Sequence, residues 1–247
     1  MSLRKGYDFV VQPQEVDFQC RITLSALTAM LLNTADYNAN DNGFGLKHLQ
    51  TIDCSWVLSR FVLEMEYFPL EYEELTVETW VEEVGRASTS RNFCVKNAQQ
   101  EIIGHGISIW VMLDMSMRKI KDLSLLENIW QYVHPESVSI EKPIKLMPVK
   151  DGTVYNSFCI RYSDIDFNGH VSTARYVRWL SDCFSLEKYE NQRITRFEAS
   201  FMNEMMYGDQ VEVLGEQKTD NDYRFEILNG DKIACRARLV FSDKEKK

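Results

Sequence analysis

Apolar and polar residues follow two rhythms along this chain, and the series of rhythms occurs twice. From Leu24, the residues Leu27, Leu31 and Ala35 fall at the three- and four-residue steps that share one helical face, predicting a helix over roughly 24–38. Alternation takes over in WVLSRFVLEMEYFPLEYEELTVETW, which reads as strand, turn, strand. Asn97-Ala98-Gln99-Gln100 then separates two further strands, the second being IIGHGISIWVML. The helical rhythm returns with Tyr176, Trp179, Leu180, Cys183 and Phe184, predicting one helix over roughly 173–189. RFEASFMNEMMYGDQVEV repeats the alternation. Asn229-Gly230, a strong two-residue turn signal, precedes the last strand, KIACRARLVF.

The two series align residue by residue. In EVDFQCRITLSALTAMLL and DIDFNGHVSTARYVRWL, Asp17 matches Asp166, Phe18 matches Phe167, Gln19 matches Asn168 and Arg21 matches His170. Leu58-Ser59-Arg60-Phe61 matches Ile194-Thr195-Arg196-Phe197, which sets Phe68 against Glu204. Each half reads as strand, helix, then several antiparallel strands. That order fits the hotdog architecture, a long helix wrapped by a curved antiparallel sheet. The expected fold is therefore α+β with two tandem hotdog units, residues 1–140 and 150–247. A connector over about 125–150 carries Pro135, Pro143 and Pro148. A single hotdog unit leaves apolar surface to pair, so two copies in one chain make a monomer sufficient; a homodimer also suits the architecture.

Composition narrows the classes. The 247 residues are 45% hydrophobic and 26% charged, as in ordinary globular proteins. No apolar run approaches the about 18 residues of a membrane span. The opening MSLRKGYDFVVQPQ lacks the apolar core of a signal peptide, which points to a cytoplasmic protein. A net charge of −9 argues against a nucleic-acid partner. The six Cys form no CxxC and do not cluster with the four His, so reduced thiols and no metal site are expected. GxGxxG, P-loop and GxSxG motifs are absent.

Candidate chemistry gathers before the second helix. Asp166, Asn168 and His170 alternate, so an extended backbone puts them on one side. Ser172 or Thr173 can cap the helix, whose first amides favour negative charge. An Asn carboxamide, a His that titrates near neutral pH and an Asp that orients either suit acyl-ester hydrolysis. A turn with a capping His accounts for the same residues. The first half, with Asp17, Gln19 and Arg21, lacks the Asn and the His. Glu204 lies in Phe201-Met202-Asn203-Glu204-Met205-Met206; buried there its pKa would rise, whereas at a sheet edge it would face water. One polar half beside one apolar half suits a long apolar substrate with a polar reactive end. His48, His105 and His134 have no acidic or Asn partner at useful spacing and read as structural.

At these residues the chain resembles the acyl-acyl carrier protein (acyl-ACP) thioesterases of fatty-acid synthesis, known from plant plastids and bacteria. DIDFNGHVSTARYVRWL is similar to the family's D-x-D-x-N-x-H-V-x-N-x-x-Y-x-x-W signature. WVLSRFVLEMEYFPLEYEELTVETWV resembles its W-V-x-x-R stretch and the following strand; Asn42-Gly43-Phe44-Gly45 and Ser108-Ile109-Trp110-Val111-Met112 match D-G-F-G and S-x-W-V-M. The likeness covers roughly residues 7–240.

The resemblance implies hydrolysis of acyl-ACP to free fatty acid without metal or cofactor, with Asp166, Asn168, His170 and Glu204 as the catalytic set. Two positions depart from the pattern. The family's Asn after His-Val is Thr173, and the Cys after its Glu is Met205, whose thioether cannot serve as a thiolate nucleophile. The acyl chain is expected in the first-half core, with Leu24, Leu27, Leu31, Phe61, Phe68 and Trp80 as its wall. An acidic carrier protein asks for a local basic patch, for which Arg175, Arg178, Arg86 and Arg91 are the candidates. A preference for acyl-CoA and a non-catalytic acyl- or ACP-binding module are the alternatives. A hotdog dehydratase fits less well, because no H-F-P-type site is present.

Overall fold

A computed structural model describes residues 3–126 and 128–244. The chain divides into two compact units, Met1–Ile22 with Met30–Pro143, and Thr23–Ala29 with Ile144–Lys247. The first unit holds β1 (Lys5–Val10), most of α1 (Leu24–Asp41), α2 (Leu46–Thr51), β2 (Cys54–Met65), β3 (Glu74–Val84), β4 (Ser88–Asn97) and β5 (Ile102–Asp114). Its strands run in the antiparallel order β1-β3-β4-β5-β2. α1 forms where the apolar stripe predicts, but runs a turn further. Leu31, Ala35 and Ala39 are buried on it. Gly106 lets the helix approach the sheet closely: a Cβ there would stand 3.2 Å from Leu31 Cδ2 and 3.3 Å from Phe93 Cδ2. Phe61 and Phe93 pack edge to face on that side, with centroids 6.5 Å apart.

The second unit holds β6 (Thr153–Cys159), α3 (Thr173–Ser181), α4 (Leu186–Asn191), β7 (Gln192–Phe201), β8 (Gln210–Thr219), β9 (Asp222–Asn229) and β10 (Lys232–Asp243). Its antiparallel order is β7-β10-β9-β8-β6. The single helix expected over 173–189 is two. α3 ends at Ser181 with Asp182 as its cap, and Ser185 starts α4 by accepting from the Lys188 amide at 3.2 Å. Phe184, in the break, packs against Tyr189, Tyr223, Phe225 and Phe241. That aromatic cluster draws the chain out of the helical path.

The stretch expected to begin a connector at about 125 is packed at its start. Leu123, Leu126 and Ile129 are buried with Phe44, Leu49 and Met112. Three-residue and four-residue 3-10 turns at Leu123–Leu125 and Ile129–Tyr132 carry them there. Among the described residues, no helix is long and apolar enough to cross a membrane.

Candidate active site

The DIDFNGH segment folds into a closed turn. A 3-10 turn at Tyr162–Asp164 is secured by Asp164 Oδ2, which accepts from the Arg161 amide at 2.8 Å. Ile165 and Val171 then bridge, and the Asp166 amide donates to His170 O at 2.8 Å. The turn needs a left-handed residue, supplied by Gly169 at φ +79°. Asp166 Oδ1 accepts from the Asn168 amide at 2.8 Å and from the His170 amide at 3.4 Å. The carboxylate therefore fixes the backbone of both residues that follow it. Ser172 occupies the cap position of α3, but its side chain makes no capping bond.

The second loop is bound to the first. Val171 donates its amide to Met205 O at 2.9 Å, and Met205 is wholly buried. Asn203 Nδ2 donates to Ile233 O at 2.7 Å. With both neighbours fixed, Glu204 projects between them. Its carboxylate Oε2 lies 3.4 Å from His170 Nε2, the side chains being 33% and 16% exposed. Glu204 is therefore not the buried acid of an apolar strand. β7 ends at Phe201, and Glu204 stands beyond it in a loop open to water. Asn168 is exposed, and its backbone amide is committed to Asp166.

The first unit builds the same framework. Asp17 Oδ1 accepts from the Gln19 and Arg21 amides at 2.8 and 3.1 Å. Val16 and Ile22 bridge, Cys20 takes the left-handed conformation at φ +57°, and the Ile22 amide donates to Pro69 O at 2.8 Å. The matched positions also meet, though differently: Arg21 Nη1 donates to the main-chain Phe68 O at 2.8 Å, where the second unit sets the His170 side chain against that of Glu204. The turn is thus common to both copies, and the Asn, His and Glu belong to one.

Other candidate residues fall elsewhere. Leu27, Leu31 and Phe61 are wholly buried, and Leu24 is nearly so. Phe68 is half-buried at the turn that receives Arg21. Trp80 does not share the helix-facing side of the sheet with Phe61. β3 is buried on both faces, and Trp80 alternates with Thr79, which accepts from helix-facing Arg91. Its indole donates to Glu136 O at 2.7 Å under the Arg4 guanidinium. Arg91 is no surface cation: at 4% exposure it bonds Asn38 and Thr79. Arg86 is exposed and paired with Asp122 at 2.8 Å. Arg175 is half-buried, 3.8 Å from Asp164, and Arg178 is exposed. His134, expected to lack an acidic partner, has Glu136 Oε2 at 2.9 Å. Among the described residues, no cluster of three or more His, Cys, Asp or Glu is placed to hold a metal.

A helix against an antiparallel sheet, built twice with one polar site, defines a tandem hotdog protein. Comparison with known proteins carries this to a family: the acyl-ACP thioesterase N-terminal domain matches residues 4–130 and the C-terminal domain residues 149–243, so the chain belongs to the acyl-ACP thioesterases. It is 35% identical to an acyl-ACP thioesterase from Bacteroides thetaiotaomicron, with a TM-score of 0.92 over 98% of this chain and 100% of that one. The fold is shared with the 12:0-ACP thioesterase from Umbellularia californica at a TM-score of 0.86, covering 99% of both chains at 20% identity. Oleoyl-acyl carrier protein thioesterase 2 of Arabidopsis thaliana, a chloroplastic protein, is 24% identical over 87% of this chain and 63% of its own length. The chain thus spans about three-fifths of that relative.

Proposed function

We propose that this protein hydrolyses the thioester of acyl-ACP and releases free fatty acid. The observation that carries the reading is the His170–Glu204 pair, built on a turn whose copy in the first unit holds Arg21 and Phe68 instead. Membership of the acyl-ACP thioesterase family supports the same substrate.

In this mechanism, water sits against Glu204 and His170, with Glu204 as the preferred base. The Asn168 carboxamide and the first turn of α3 receive the thioester carbonyl. Attack on the carbonyl carbon moves a water proton to Glu204 and puts charge on the oxyanion. Collapse breaks the C–S bond, and the departing thiolate takes that proton. Removing the Asn168 donor should cost about 2.7–4 kcal/mol of barrier. Asp166 acts by orienting the Asn168 and His170 backbone. No thiolate nucleophile is called on, since Met205 stands in the Cys position. Exposed Arg178 is the candidate contact for an acidic carrier protein.

The test is fatty-acid release from acyl-ACPs and matching acyl-CoAs by wild type, Glu204→Gln and His170→Ala. Each variant is expected to lose about 10²–10⁴-fold in turnover. Tight ACP binding without turnover by wild type would replace the hydrolase with a binding module.

A further inference from the structure

Two tyrosines on the loops of the reactive pair stand in the open. Tyr162 heads the 3-10 turn that leads into DIDFNGH and is 88% exposed; Tyr207, three residues past Glu204, is 71% exposed. Among the described residues neither ring packs on another ring, and neither phenol has a hydrogen-bond partner. Phe167 and Met206, on the same two loops, are exposed as well. Several large apolar side chains left bare together mark a contact with something the protein binds, and Tyr suits such a contact because its ring is apolar and its tip polar.

The loops are pinned, so their exposure is built in. The Ile160 amide donates to Asp209 O at 2.9 Å, the Gly208 amide to Ile160 O at 3.2 Å and the Val171 amide to Met205 O at 2.9 Å. Asp209 Oδ2 holds the Met206 amide at 2.9 Å. The first unit repeats this frame: the Val11 amide donates to Glu73 O at 3.0 Å, the Tyr72 amide to Val11 O at 2.9 Å and the Ile22 amide to Pro69 O at 2.8 Å. At the positions of Tyr162 and Tyr207, however, it carries Pro13 and Glu71. The frame therefore does not call for the tyrosines. They occur in the copy that holds His170 and Glu204.

The two sides of a thioester ask for different surroundings. The acyl side is hydrocarbon and needs a dry pocket, where a phenol would go unused. The thiol side is a pantetheine arm, which alternates amides with short alkyl pieces and leads out to a carrier too large to enter. A tyrosine matches that alternation: the ring face covers methylene and methyl groups, and the hydroxyl bonds an amide. We propose that Tyr162 and Tyr207 bind the pantetheine arm on which the acyl group is delivered. The proposal rests on the acyl-thioesterase reading above.

The experiment compares kcat/KM for one acyl group carried on pantetheine and on N-acetylcysteamine, which keeps the thioester but stops after the first amide. Covering about 50–100 Å² of ring should favour the pantetheine thioester by about 10-fold. The double variant Tyr162→Ser, Tyr207→Ser should bring the ratio to about one. Tyr72→Asn, an exposed substitution on the matching first-unit loop, should leave it at the wild-type value. A wild-type ratio near one would overturn the proposal, as would a ratio that survives the double variant or falls equally in Tyr72→Asn. Acyl-ACP and acyl-CoA share the arm, so the double variant should lower kcat/KM for both by a similar factor; a loss confined to acyl-ACP would assign the tyrosines to the carrier protein and overturn the proposal. Thermal melting reports folding, and each single substitution is read in the same way if the double variant does not fold. If no acyl thioester is hydrolysed, the thioesterase reading fails by itself. Calorimetry with holo-ACP and apo-ACP, which differ only in the arm, then decides: tighter binding of the holo form, lost in the double variant, would support the proposal, and equal binding or a preference that the double variant keeps would overturn it.

Discussion

Replacing Asp166 with Ala removes one acceptor from two backbone amides, and the protein contains its own control. In the second unit the bonds run to the Asn168 and His170 amides at 2.8 and 3.4 Å; in the first, Asp17 holds the Gln19 and Arg21 amides at 2.8 and 3.1 Å. A hydrogen bond to an ionised group contributes about 1.5–3 kcal/mol, and the 3.4 Å contact adds little. Asp166→Ala should therefore cost about 1.5–3 kcal/mol, and Asp17→Ala at least as much. For a chain of this size that lowers Tm by about 3–12 °C in either variant. Activity should separate them. Loosening the turn shifts Asn168 and the His170 ring away from Glu204, and a displacement of about 1 Å can cost about 10²-fold in rate. Asp17→Ala has no such groups to move. Calorimetry and acyl-ACP turnover on both variants make the test. If Asp166→Ala melted like wild type but lost turnover, the carboxylate would be acting on the reaction itself and the orienting role would fail. An unchanged Tm for Asp17→Ala would refute the bond energies.

Trp80→Phe should lower Tm by a few degrees, through loss of the indole bond to Glu136 and the stacking of Arg4, and should leave the acyl-length profile unchanged; an altered profile would return Trp80 to the pocket wall. His105 predicts a pH dependence of stability. Burial, helped by the Arg4 charge and opposed by Glu64 and Glu66, lowers its pKa from 6.5. The unfolded chain then binds the proton more readily, so stability falls as pH drops below about 6.5 and reaches its low plateau beneath the folded-state pKa. His105→Gln should flatten that slope in urea titrations, and an unchanged slope would assign it to other groups. Phe93→Ala, which opens the contact beneath Gly106, should cost about 3–5 kcal/mol by denaturant unfolding; a loss under 1 kcal/mol would show that the site collapses freely.

The repeat was legible because its signals are local. An Asp two residues before an amide needs no distant partner, and Leu24, Leu27, Leu31 and Ala35 give a helical stripe from spacing alone. The errors arose where tertiary packing decides. Asp182 to Ser185 carries no Pro or Gly, so only the aromatic cluster around Phe184 reveals the break. Glu204 reads as part of a strand because apolar residues continue past Phe201; the pairing that ends there is a property of β10. Ser90 and Asn92 make Arg91 look like surface, yet both are buried beside it. On β3 the run TWVE hides which face each residue takes, since both faces are covered. His170 and Glu204 were each visible, but their meeting depends on the Val171 amide reaching Met205 O, which no spacing encodes.

The duplicated turn also bears on how such a protein changes over time. A protein assembled from two identical chains receives every mutation twice, so a residue good for one copy and bad for the other cannot be kept. Placing both copies in one gene removes that coupling. Arg21 and Phe68 could settle at one turn while His170 and Glu204 remained at the other, each under separate selection, because the Asp that shapes the loop is retained in both. Here the retained Asp and the divergent Asn168 and His170 lie within the same seven residues.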